Sequence, residues 1–226
     1  MLAKKRTFVV GRRKTKPLRK NRFESFDGNF ETYLMTNVHP VAEKKFKKHF
    51  KHFFVCTQTG KLKYLVELIS SGVLSWLGVV APKGRATRRD GSVCRLRLRF
   101  TSNSVIVNEM QGRKGMMSEI LKLERIVGMP WNNFLVAQTE RIAKESGIKF
   151  IAISNPETMH SFLYPVLPQG AVANIEVLHR VHGYDKAREL MQTEEQKIRN
   201  RIKNLHHGVA KERKYVNIGL YFAKRL

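Results

Sequence analysis

The chain is poor in the residues that staple or anchor a fold. Its 226 residues include only two cysteines, Cys56 and Cys94. They lie far apart and outside any CxxC spacing, which excludes a disulfide framework and a zinc-finger ligand set and fits a reducing compartment. No run approaches the ~18 consecutive apolar residues of a membrane span. The opening stretch "MLAKKRTFVVGRRKTKPLRKNR" is positive, but its apolar island "FVV" is too short for a signal-peptide core. A cytoplasmic location is therefore expected. Acids are scarce too: 18 Asp and Glu face 43 Lys and Arg. Asp27, Asp90 and Asp185 stand alone among basic residues, so no carboxylate pair suits metal-dependent nuclease chemistry. There is no GxSxG elbow, and neither cysteine has a histidine in a nucleophile's local setting. His49 and His52, like His206 and His207, lack a Cys or carboxylate at ligand spacing, so no metal site is expected.

What is abundant is positive charge. A net charge of +25 works against compactness unless counterions or an anionic partner offset it. With 42% hydrophobic residues the chain is nonetheless globular in composition. The partner this balance points to is nucleic acid, DNA or RNA, or a ribonucleoprotein. Anionic lipid would suit the charge as well, but no exposed aromatic anchor accompanies it. Residues 1–30 read as a basic N-terminal arm, and residues 31–226 as a single domain. The arm carries Arg12, Arg13 and Lys14 in a stretch without acids, and serves either as a phosphate-tracking element or as a solubilising tail.

Along the domain, "HPVAEKKFKKHFKHF" (39–53) sets Val41, Phe46, Phe50 and Phe53 at helical spacing. Lys44, Lys47, Lys48 and Lys51 lie between them, which predicts an amphipathic helix with a cationic outer face. "GKLKYLVELISSG" reads as a short helix or a strand pair. "LSWLGVVAP" reads as a strand, followed by a loop with Arg85, Arg88 and Arg89. "CRLRLRF" then alternates strictly, with Arg95, Arg97 and Arg99 on one side and Cys94, Leu96, Leu98 and Phe100 on the other, as a half-buried strand does. "SVIVNEMQ" follows after a short polar loop, so the two form an antiparallel hairpin. Two helical patterns come next, "MMSEILKLERIVG" and "PWNNFLVAQTERIAKESG", then a buried strand "IKFIAIS". Residues 173–205 are helical with a break at "HGYD", and "KYVNIGLYFAKRL" closes as a strand. The order predicts an α/β (α+β) domain, a mixed, mostly antiparallel central sheet with flanking helices.

The joint "SVIVNEMQGRKGMMSEI" runs from a strand through a glycine-flanked basic loop into a helix. Gly112 and Gly115 let backbone amides approach an anion, and Arg113 and Lys114 add charge; a plain tight turn has the same sequence features. Three arginines on one strand face repel one another, and a polyanion would relieve that repulsion. Glu109 could instead bond an arginine of the neighbouring strand.

The segments "VIVNEMQGRKG", "PWNNFLVAQTERIAKESGI" and "KFIAISN" resemble the core of the GNAT acyltransferase fold. They are closest in flavour to bacterial proteins of the VirK/YbjX type, over residues 74–165. The family's loop signature is Gln/Arg-x-x-Gly-x-Gly/Ala. Here the order is Gln111-Gly112-Arg113-Lys114-Gly115, with Gly115 one place late and Met117 where the second small residue would stand. The resemblance implies that Gln111 to Gly115 hold the pyrophosphate of acetyl-CoA or another acyl-CoA. It implies further a direct acyl transfer with Glu109 as base and Tyr184 as acid. Two functions follow as expectations. One is nucleic-acid or ribonucleoprotein binding on a GNAT-like scaffold. The other is acyl-CoA-dependent N-acyl transfer to a nucleic-acid-associated acceptor such as a charged tRNA, a modified base or a ribosomal protein.

Overall fold

Alternation in "SVCRLRLRF" becomes strand β4 (Ser92–Phe100), which buries Cys94, Leu96, Leu98 and Phe100 and leaves the three arginines half-buried on the other face. A computed structural model describes residues 40–60, 63–71, 74–81 and 91–226. The basic arm with Arg12, Arg13 and Lys14, and the loop with Arg85, Arg88 and Arg89, lie outside these described residues.

Ahead of β4 come helix α1 (Pro40–His49) and strands β1 (Phe53–Cys56), β2 (Lys63–Ser71) and β3 (Leu74–Val80). After it come β5 (Ser104–Gly112), α2 (Met117–Val127), α3 (Trp131–Glu145) and β6 (Phe150–Ser154). A 3-10 turn (Pro156–Thr158) and the short α4 (His160–Leu163) lead to α5 (Gln169–His182) and the 29-residue α6 (Tyr184–Glu212). Strands β7 (Val216–Asn217) and β8 (Tyr221–Arg225) close the chain.

The fold is mixed α+β: among the described residues, six α-helices flank an eight-stranded sheet in the order β1-β2-β3-β4-β5-β6-β8-β7. Every neighbouring pair is antiparallel except β5 and β6, which run parallel. Segment 60–72, open between helix and strands on the sequence pattern, contributes strand β2. Its Tyr64 and Val66 are fully buried on the core face.

The first helix is shorter than the phenylalanine spacing predicts. It ends at His49, and Phe53 leaves it to open β1 opposite Val66. Among its described side chains Ala42 and Phe46 are buried, while Val41 is exposed. Sheet pairing overrides the local helical pattern because a strand satisfies the backbone of 53–56 and buries one side of it at the same time. Phe46 meets Phe100 with ring centroids 5.2 Å apart. That contact sets α1 on the hydrophobic face of the sheet, where α2 and α3 also pack.

The C-terminal end is tied to α3 by charge. Arg213 bonds Glu140 with both Nε and Nη2, and Lys224 reaches Glu140 at 3.3 Å. Burial pushes the Glu140 carboxyl up, yet Arg213 and Lys224 together hold it below the usual carboxylate range. Asn133 donates to Glu212 beside this pair.

Candidate functional site

The parallel pair β5–β6 is in register only from Ser104 opposite Phe150 to Val107 opposite Ile153. At that point Asn108 bulges out of β5: Leu98 pairs Val107 and Arg97 pairs Glu109, so two residues are advanced on β5 for one on β4. Ser154 Oγ donates to Asn108 Oδ1 at 3.2 Å across the gap. Beyond the bulge β5 continues to Gly112 with β4 as its strand partner, and β6 turns away through Asn155. The space this opens is closed from the side by α6.

A cavity of about 460 Å³ lies between α6 and the end of β5 beyond the bulge. Its walls are Met110 to Lys114 from β5 and the following loop, Ser92 and Arg95 from β4, and Arg201, Ile202 and Leu205 from α6. Four cations line it, Arg95, Arg113, Lys114 and Arg201, and no carboxylate does. A second cavity on the other flank of Arg201 and Leu205 is lined by Asn132, Asn200, Asn204 and Lys197.

The sequence signal reached the loop half of this cavity and missed the α6 half. Arg201 sits far from the loop along the chain, and nothing local in "KIRNRIKNL" distinguishes it from its neighbours on the helix. Its place does distinguish it, as the one cation of α6 on the wall of this cavity. Four other cations of α6 are engaged by a carboxylate, Lys186 by Glu189, Lys197 by Glu194, Arg199 by Glu195 and Lys203 by Glu157, whereas Arg188 and Lys211 form no ion pair with any described residue. Arg201 and Lys114, which face the cavity, form no ion pair with any described residue.

The two glycines have different tasks. A Cβ at Gly112 would come within 3.1 Å of Ile120 Cδ1 and 3.7 Å of Trp131, so this glycine lets β5 pack against α2 and α3. Gly115 has φ +82° and makes the left-handed turn into α2. The Met116 amide donates to the Arg113 carbonyl at 3.2 Å, and Met116 supplies no side-chain cap to the helix. The first-turn amides of α2 therefore begin immediately after the cationic loop.

On their half-buried face of the sheet the arginines meet groups of their own chain. Arg97 Nη1 donates to Glu109 Oε1 at 2.9 Å. Gln111 Nε2 donates to Glu109 Oε2 at 3.0 Å, and Gln111 Oε1 accepts from Arg95 Nε and Nη2 at 3.1 and 3.0 Å. Arg95 also stacks on Trp76 with its guanidinium 4.1 Å from the ring centroid, and Arg97 lies 5.8 Å from it. Gly78 stands opposite Arg95, which leaves the arginine room to lean over the indole. Arg99 is half-buried further along the strand. The acid that pairs with Arg97 thus comes from β5, a cross-strand neighbour that an inspection of β4 alone does not see.

Tyr184 and Glu109 border different places. Tyr184 is exposed and lines a cavity between α5 and α6, where its ring meets His179 with centroids 6.4 Å apart. Lys44, Lys47, Lys48 and Lys51 are exposed on or just after α1, Lys47 paired with Glu43 at 2.8 Å. Because α1 packs on the hydrophobic face, these lysines and the arginines of β4 belong to opposite faces of the sheet.

The two cysteines are free: Cys56 is exposed, and Cys94 is buried with its thiol pKa pushed well up by desolvation. Among the described residues no cluster of His, Cys, Asp and Glu could hold a metal ion, and no helix is long and apolar enough to cross a membrane. No protein-family model, no curated protein and no solved structure matches this chain.

Proposed function

We propose that this chain is a nucleic-acid- or ribonucleoprotein-binding protein on a GNAT-like scaffold, with the cavity at the end of β5 as its main phosphate site. One observation carries the reading: four cations surround a cavity without a carboxylate, and Lys114 and Arg201 have no ion pair there although most α6 cations do. Two unneutralised cations facing each other across a concave site repel, and a phosphate between them removes that cost. The stacked pair Arg95 and Trp76 at the cavity's rim adds a planar, cationic surface on which an unstacked base can lie. The reading is tested with a labelled oligonucleotide and the double variant Lys114→Ala/Arg201→Ala. An affinity loss of at least about thirtyfold, each of the two side chains contributing about 1 kcal/mol or more, supports it; unchanged binding contradicts it.

A second reading, acyl-CoA-dependent acyl transfer, draws on the shape of the site. A cavity of about 460 Å³ beside a strand that has parted from its parallel neighbour suits the pyrophosphate of a small cofactor better than a duplex. The catalytic half of that reading has weaker support. Glu109 is held by Arg97 and Gln111, and Tyr184 borders another cavity. Thermal-shift titrations with acetyl-CoA, free CoA and ATP separate the two. A saturable rise with both CoA compounds and none with ATP favours the acyltransferase, because a ligand specific to the folded state stabilises it by an amount set by its concentration over its Kd.

A further inference from the structure

Among the described residues the α5–α6 hairpin stands apart in both burial and charge. No residue of α5 is buried, and Val172, Val177 and Val181 on it are 40%, 53% and 66% exposed. Tyr184 and Met191 at the start of α6 are exposed as well. A helix of this length with nothing buried is marginal in water, and contiguous exposed apolar residues mark an interaction surface. Between residues 169 and 193 the acids Glu176, Asp185 and Glu189 equal the bases Arg180, Lys186 and Arg188 in number. This segment is neutral in a chain of net charge +25. Lys186 pairs with Glu189. The two cations and two carboxylates that remain form no ion pair with any described residue. Glu176, Arg180 and Arg188 edge one cavity of about 420 Å³ whose floor is Ile175, Ala187 and Met191.

We propose that the hairpin is a homodimer contact, in which two copies lay their α5–α6 hairpins together about a two-fold axis. An antiparallel α5–α5 contact centred at the level of Leu178 sets Glu176 of one copy opposite Arg180 of the other, and the reverse pair follows by symmetry. The same register brings Val172 to the level of Tyr184 of the second copy. An isologous contact demands a self-complementary surface, and equal numbers of unpaired acids and bases beside an apolar cavity meet that demand. An acidic foreign helix would satisfy the two arginines but would set its own carboxylates against Glu176 and Asp185. Repulsion between two highly cationic copies is least where each is neutral. The four helices would close as a small bundle over the two cavities.

Sedimentation equilibrium on the nuclease-treated full chain tests this. The expected species is a dimer of twice the 26.2 kDa chain mass. Arg180→Glu should raise the dimer dissociation constant by at least about tenfold, since like charges then face each other. The swap Glu176→Arg/Arg180→Glu should restore dimerisation, and the two single variants, mixed, should form a heterodimer. Circular dichroism checks that each variant stays folded. A wild-type monomer at the highest soluble concentration overturns the proposal, including one whose hairpin captures an acidic amphipathic peptide. A dimer that ignores Arg180→Glu, or a loss that the swap does not repair, overturns it too.

Discussion

Glu109 illustrates how a single residue reads differently alone and in its setting. On the sequence it is either a general base or the acid that a neighbouring arginine needs. In the fold both of its carboxylate oxygens are bonded, to Arg97 and to Gln111. Glu109→Gln should therefore cost less than about 1 kcal/mol, as partly exposed ion pairs do, and leave nucleic-acid affinity unchanged or higher. Denaturant melts and a binding titration check this, and a collapse of affinity would assign Glu109 a direct role. His206 has a role the sequence did not disclose. Its Nδ1 donates to the Ser154 carbonyl at 2.8 Å, and burial, aided by neighbouring His207, pushes its pKa down to about 4. Below its ordinary value of 6.5 the unfolded chain takes up a proton that the folded chain refuses. Stability should therefore fall as pH drops through that window, by about 2 kcal/mol between about pH 7 and about pH 5. His206→Asn, which keeps a donor to Ser154 but does not titrate, should remove that part of the pH dependence of urea melts. An equally steep profile in the variant would contradict the assignment.

At the scale of elements, periodicity made the central hairpin, both helices after it and β6 legible. Each buries one face, and burial writes a period of two or 3.6 into the residues. The failures are equally physical. Strand β1 has four residues and follows phenylalanines at helical spacing, so only its pairing with β2 distinguishes it. The loop glycines were legible as a turn, but the reason for Gly112 was not, because Ile120 and Trp131 approach it from two separate helices. Gly112→Ala should cost about 1 kcal/mol through overpacking, limited by the freedom of Ile120 Cδ1 to move. Gly115→Ala should cost a similar ~1 kcal/mol through backbone strain at positive φ, with nothing near its Cβ to clash. Thermal melts of the two variants test both, and a neutral Gly115→Ala would mean that the turn is not rigid. The α6 wall of the cavity was illegible, since Arg201 reaches the loop only through the packing of α6 near the splayed end of β5 and β6.

For the molecule as a whole, the charge that composition announces is, among the described residues, divided rather than pooled. The lysines of α1 are on the helical side of the sheet, and the arginines of β4 are on the other, with two of them engaged by Glu109 and Gln111. Where α6 faces the loop after β5, Lys114 and Arg201 concentrate two cations without an ion pair to any described residue on one cavity. That concentration is the central claim, and the salt dependence of oligonucleotide binding tests it most directly. Removing a cation that neutralises one phosphate should lower the slope of log K against log salt by about one. Lys114→Ala/Arg201→Ala should therefore reduce the slope by about two, while Lys44→Ala/Lys48→Ala on the opposite face should change it less. A slope that the cavity variant leaves intact and the α1 variant lowers would contradict the claim and move the phosphate surface to the helical face.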